Sequence, residues 1–107
     1  MKRKSFLKWA LAGLGSYIGG GLMNKLVMWA NGGFMPVAYH GRWDWPFQVT
    51  NMTHCTMSSD ASLKYLADYI SFRGWLYSPG DVMIVAGAIS MLTFVAVLCI
   101  IGYVKLD

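Results

Sequence analysis

A chain of 107 residues allows one small unit and leaves no room for a second domain. Charged residues make up 13% and hydrophobic ones 56%, where a water-soluble domain carries about 25% charge. The net charge of +4 is concentrated at Lys2, Arg3, Lys4 and Lys8, with Lys105 near the other end. No basic domain stands behind that cluster, so a nucleic-acid partner is not expected and a topology-setting flank is.

The first apolar run, residues 6–30, reads FLKWALAGLGSYIGGGLMNKLVMWA. A charged start followed by apolar residues also describes a secretory signal, but no small-x-small cleavage site follows. The run is therefore expected to be a retained transmembrane helix. Trp9 and Trp29 lie ~30 Å apart on an ideal helix, the spacing of two interfacial aromatic belts. Asn24 and Lys25 then fall inside the belts as intramembrane polar residues, and a Lys25–Asp81 contact is the pairing that depth suggests. Ala12, Ser16 and Gly20 recur every four positions beside Gly15-x-x-x-Gly19, a face that permits close backbone approach of another helix. Ala86, Gly87 and Ser90 are its candidate counterparts.

Asn31-Gly32-Gly33 and Pro36 stop the run, because glycine accepts positive φ and proline cannot continue a helix. Residues 34–77 form an extramembrane segment too aromatic for a disordered linker. Trp43-Asp44-Trp45-Pro46 is expected along the headgroup layer or against a partner. Ser58-Ser59-Asp60 looks like a helix start, with Leu63, Leu66, Ala67 and Ile70 on one face, so a short amphipathic helix is predicted over 60–70. Arg73-Gly74 would break it.

Residues 79–104 make the second predicted transmembrane helix, and 82–104 carry no charge for about 23 residues, enough for one bilayer crossing. Its start is well marked. Ser78 supplies a hydroxyl cap, Pro79 the first helical position and Asp81 the carboxylate three residues after the cap.

Chemistry-bearing side chains are sparse. His40, His54 and Cys55, with Asp44 and Met57, match no compact metal spacing, and neither a metal nor another cofactor is expected. Ser58 and Ser59 near His54 lack a third orienting group, so catalysis is not expected. Cys55 lies in the polar middle and Cys99 deep in the last apolar run, which disfavours a disulfide between them.

The motifs Asn31-Gly32-Gly33-Phe34-Met35-Pro36-Val37 and Ser78-Pro79-Gly80-Asp81-Val82, with His54 and Leu63-x-x-Leu66-x-Asp68 between, carry a resemblance. They resemble a family of small bacterial and phage membrane proteins with no assigned activity, over about Leu22 to Gly87. The resemblance implies membrane topology and a bacterial or phage origin, and no mechanism.

The expected fold is thus an all-α, two-span transmembrane hairpin in the cytoplasmic membrane, both termini inside. Its expected role is a non-catalytic subunit or accessory factor of a membrane complex, partnered by lipid and by other subunits or a second copy. A phage-encoded effector, holin-like or excluding superinfection, is the alternative, and metal or redox handling through His40, His54 and Cys55 a remoter one. Contacts to a partner are expected at Asn31, Gly32, Gly33, Pro36, Trp43, Trp45, His54 and Asp68.

Overall fold

The computed structural model describes residues 3–105. In chain order it comprises α1 (Arg3–Ala30), β1 (Met35–Val37), β2 (His54–Thr56), β3 (Ile70–Phe72), β4 (Trp75–Tyr77) and α2 (Pro79–Lys105). Single 3-10 turns lie at Tyr39–Gly41 and Lys64–Leu66. Both long helices end by the local chemistry read from their flanks. Asn31 and Gly33 each donate a backbone N–H to Met28 O, at 3.1 and 2.7 Å. Gly32 and Gly33 take positive φ, 71° and 96°, which satisfies the last carbonyls and turns the chain away. Asn31 Nδ2 caps Val27 O at 2.8 Å. At the start of α2, Asp81 N donates to Ser78 Oγ and Ser78 N donates to Asp81 Oδ2, both 3.0 Å, a reciprocal capping box.

The helices pack antiparallel along a seam of small residues. A Cβ on Gly13 would strike Ser90 Oγ at 2.8 Å, and one on Gly20 would strike Gly80 O. From the other side, Gly87 faces the backbone of Gly13 and Tyr17, and Gly80 faces Gly20 O and Asn24. Each helix thus places two glycines seven residues apart, the interval that keeps one stripe facing one neighbour. Ser16 Oγ crosses the seam to Met83 O at 2.8 Å, which is open because the backbones approach so closely.

Between the helices sits a cap built around β1. β1 pairs in parallel with β2, Pro36 opposite Cys55, and on its other side Val37 bridges Asp68. Ala38 N donates to Asp68 O and Asp68 N to Pro36 O, at 2.9 and 3.0 Å. Pro36 therefore occupies a central position without orphaning a donor, since only its carbonyl is used. The core lies where the cap meets the end of α1: Val27, Met35, Ala38, Met57 and Ala67 are buried, with Trp43, Leu66 and Tyr69 against them. β3 and β4 form a hairpin closed by Arg73 and Gly74, whose φ values of 52° and 80° suit a two-residue primed turn.

Two expectations are corrected. The fold is not an all-α pair of spans: it carries two small sheets, and only one described helix, over Pro79–Gly102, is long and apolar enough to cross a membrane. α1 is long enough but not apolar enough, because Lys8, Asn24, Lys25 and five glycines dilute its hydropathy. The helix predicted over 60–70 is absent as well. Leu63 is left-handed (φ 54°), the 3-10 turn at Lys64–Leu66 follows, and Asp68 is drawn into the β1 ladder. Eleven residues hold a helix only weakly on their own, so backbone pairing with Pro36 and Ala38 overrides that preference.

Candidate functional site

The cap brings together two side chains from distant positions. β2 points His54 to the side opposite Cys55, as strand alternation requires. The β1 ladder fixes Asp68 beside it, and His54 Nε2 lies 3.7 Å from Asp68 Oδ2. That is an ion-pair distance and too long for a hydrogen bond. The other ring nitrogen is held by the loop preceding β2: Nδ1 is 2.8 Å from Thr53 Oγ1 and 3.1 Å from Asn51 Oδ1. The Asn51 oxygen only accepts, and the Thr53 hydroxyl is directed to the same oxygen at 3.2 Å. This arrangement places a hydrogen on Nδ1 and leaves Nε2 turned to the carboxyl.

Asp68 is the unusual member. It is buried, and its Oδ1 is without a hydrogen-bond partner among the described residues. Burial, and then the nearby Asp81 carboxylate, push its pKa up to about 7. The site thus sets a buried carboxyl within ion-pair distance of a partly exposed imidazole.

Beneath this pair, where cap meets seam, Asn24, Ser78 and Asp81 form a polar knot. Asn24 Nδ2 donates to Asp81 Oδ1 at 2.8 Å, and Ser78 Oγ donates to Asn24 Oδ1 at 2.5 Å. Asp81 thus finds its partner in Asn24; Lys25 is exposed, and the expected Lys25–Asp81 contact is not formed. The signal that singles out Asn24 is its place in the seam register, four residues after Gly20.

The other expected positions separate clearly. Ser16, Gly20 and Ser90 lie in the helix seam, with Ser90 Oγ buried and lacking a hydrogen-bond partner among the described residues. A Cβ on Gly19 would meet only the Met83 side chain, at an ordinary contact distance of 3.5 Å, whereas Ala12, Gly15 and Ala86 are exposed. Gly13 and Gly80, which sequence reasoning missed, hold the closest approaches together with Gly20 and Gly87. A seven-residue rather than four-residue interval would have found them.

Of the expected partner contacts, several are spent inside the cap. Asn31 clasps Ser62, accepting from its N–H and donating to its carbonyl, both at 2.9 Å. Pro36 is buried, and Trp43 packs on Tyr65 and Tyr69 with centroids 5.8 and 5.0 Å apart. Trp45 donates to Tyr39 O at 3.1 Å under the Arg42 guanidinium, while Gly32 and Gly33 remain exposed. Cys55 is buried at the wall of an open cleft of about 480 Å³ between Trp45, Phe47 and Ser59, and burial pushes its thiol up, away from reactivity. His40 is exposed in the first 3-10 turn, at φ 56°. Among the described residues, no three His, Cys, Asp or Glu side chains converge as metal ligands.

Fold and site define a class: an antiparallel helical hairpin, one helix of which is long and apolar enough to cross a membrane, crowned by a strand-and-loop cap with a buried carboxyl beside a partly exposed imidazole. The chain belongs to a family of unknown function (DUF5317), matched over residues 4–93. No curated protein matches it. Nor does any solved structure.

Proposed function

We propose that the protein is a small, non-catalytic component of a larger assembly in the cytoplasmic membrane, anchored by α2 and presenting its cap at the surface. Within Pro79–Gly102 an 18-residue window reaches a mean hydropathy of 2.7, and few of its residues are fully buried by the rest of the chain, so lipid is the natural solvent for its outer face. The antiparallel packing gathers the basic start of α1 and Lys105 at one end, and the excess of positive charge there supports a cytoplasmic placement of that end.

The observation that carries the assembly reading is Gly15. It costs α1 about 1 kcal/mol of helix propensity relative to alanine, yet a Cβ there would meet nothing within 4 Å. Exposed Ala12 lies one turn away on the same side. Gly13 and Gly20 are accounted for by α2; Gly15 is accounted for by a helix from another subunit or a second copy. Extraction in mild detergent followed by mass measurement is the test. The wild type is expected above monomer mass or with a stoichiometric companion, and Gly15→Ile is expected to release the monomer without loss of helicity. Wild-type chain that runs only as a monomer, with no companion, overturns the reading.

A further inference from the structure

The β3–β4 hairpin lies against α2 on the face turned away from the α1 seam. Val82, Val85, Ala86 and Ile89 form one wall of a groove of about 560 Å³, and Ile70 and Phe72 belong to the other. Its walls are almost wholly apolar. Asp81 stands at the upper end, but both its oxygens are already taken by Asn24 and Ser78. Its lining ends at Ile89, and beyond it α2 is bare, with Leu92 70% exposed.

The hairpin tip has a second peculiarity. Phe72 and Trp75 are 61% and 70% exposed, a costly display in water for two large rings on adjacent strands. Between them Arg73 occupies the turn, its guanidinium 5.5 Å from the Phe72 ring centroid. Aromatic rings flanking an arginine suit the headgroup layer, where the rings sit at the acyl boundary and the guanidinium fork meets phosphate. The length of the groove along α2, from Val82 to Ile89, carries it about 10 Å from the headgroup level into the acyl region.

We infer that the groove between the β3–β4 hairpin and α2 binds one acyl chain of a membrane phospholipid, whose phosphate is held by Arg73. The inference rests on α2 crossing the membrane. It makes the hairpin a lipid clasp, with the occupant supplied by the surrounding leaflet and oriented by the Arg73 charge at the tip and the apolar walls beside it.

The test is photolabelling of the full chain in phosphatidylethanolamine–phosphatidylglycerol vesicles, using a phospholipid that carries a diazirine in its acyl chain. Labelled residues are mapped by mass spectrometry. Label at Phe72, Val85 and Ile89 is expected several-fold above that at Leu92, which touches bulk lipid only. Ala86→Trp, which fills the groove from an exposed helical position, is expected to remove that excess while leaving Leu92 and Ile100 unchanged. Arg73→Gln is expected to reduce it at least twofold. Groove labelling no higher than at Leu92, or unmoved by Ala86→Trp, overturns the clasp alone. Absence of label at Leu92 and Ile100 as well overturns the membrane placement of α2 and the clasp with it.

Discussion

Asp68 has the clearest solution signature of any residue. An unfolded aspartate titrates near pH 4, whereas burial holds this one at about 7. Between those values the folded chain binds a proton that the unfolded chain has released, so stability falls as pH rises through the window. The loss is complete above pH 7 and absent below about pH 4, and three units correspond to at most ~4 kcal/mol. Detergent-solubilised protein is therefore expected to melt higher at pH 5.5 than at pH 8. Asp68→Asn, which keeps the shape without the charge, should flatten that dependence and raise Tm at pH 8. A wild-type melting curve that does not move between the two pH values counts against the assignment. Asn24 is the second residue with a defined cost. Its amide serves both Asp81 and Ser78, so Asn24→Leu leaves a carboxylate and a hydroxyl short of partners. A loss of about 2–4 kcal/mol is expected in chemical denaturation. The capping box could be read from Ser78 to Asp81 because its members are three residues apart. The His54–Asp68 pair could not, because its geometry depends on β1 standing between two segments fourteen residues apart in the chain.

At the scale of elements, the glycines of α1 give a contrast within one helix. Gly20→Ala drives a methyl into Gly80 O and the Ile84 backbone, and neither can yield without parting the helices. Gly21→Ala meets nothing within 4 Å and gains helix propensity. The expected outcome is a loss of about 2 kcal/mol or more for the first and a gain of up to about 1 kcal/mol for the second, read from thermal melts followed by circular dichroism. Equal effects would show that the seam is not where the backbones touch. Helix ends and the apolar run of α2 were legible in the sequence, since caps and unbroken hydropathy are local. Strands were not: Met35-Pro36-Val37 and His54-Cys55-Thr56 are three residues each, too short to show a period, and exist because they pair with each other. The hairpin was legible and overlooked. Ile70-Ser71-Phe72 and Trp75-Leu76-Tyr77 are rich in β-formers around a two-residue turn ending in glycine, a stronger signal than the faint helical stripe across 60–70.

Taken whole, the molecule is a rod of 64 × 25 × 21 Å, with a radius of gyration of 18.2 Å where a globular chain of this length would have about 13 Å. Water cannot stabilise that shape through burial, since α2 leaves Val85, Ile89, Leu92, Val95 and Ile100 more than half exposed on a shaft far from the core. On the proposed membrane placement a bilayer removes that cost by covering the shaft, and the two ends then face different compartments. On that placement the end that gathers Arg3, Lys4, Lys8 and Lys105 is the one held back by the positive-inside preference, and the cap, where Arg42, Lys64 and Arg73 are partly offset by Asp44 and Asp60, meets less resistance to export. A fluorescent protein fused after Asp107 is therefore expected to fold and fluoresce in bacterial cells. In the same cells Asp60→Cys, in a chain with Cys55 and Cys99 replaced by alanine, is expected to react with a membrane-impermeant maleimide. Labelling that requires cell lysis, together with a dark fusion, would place the cap in the cytoplasm and reverse the orientation. A fusion and a labelled chain both recovered in the soluble fraction after lysis would remove the membrane altogether.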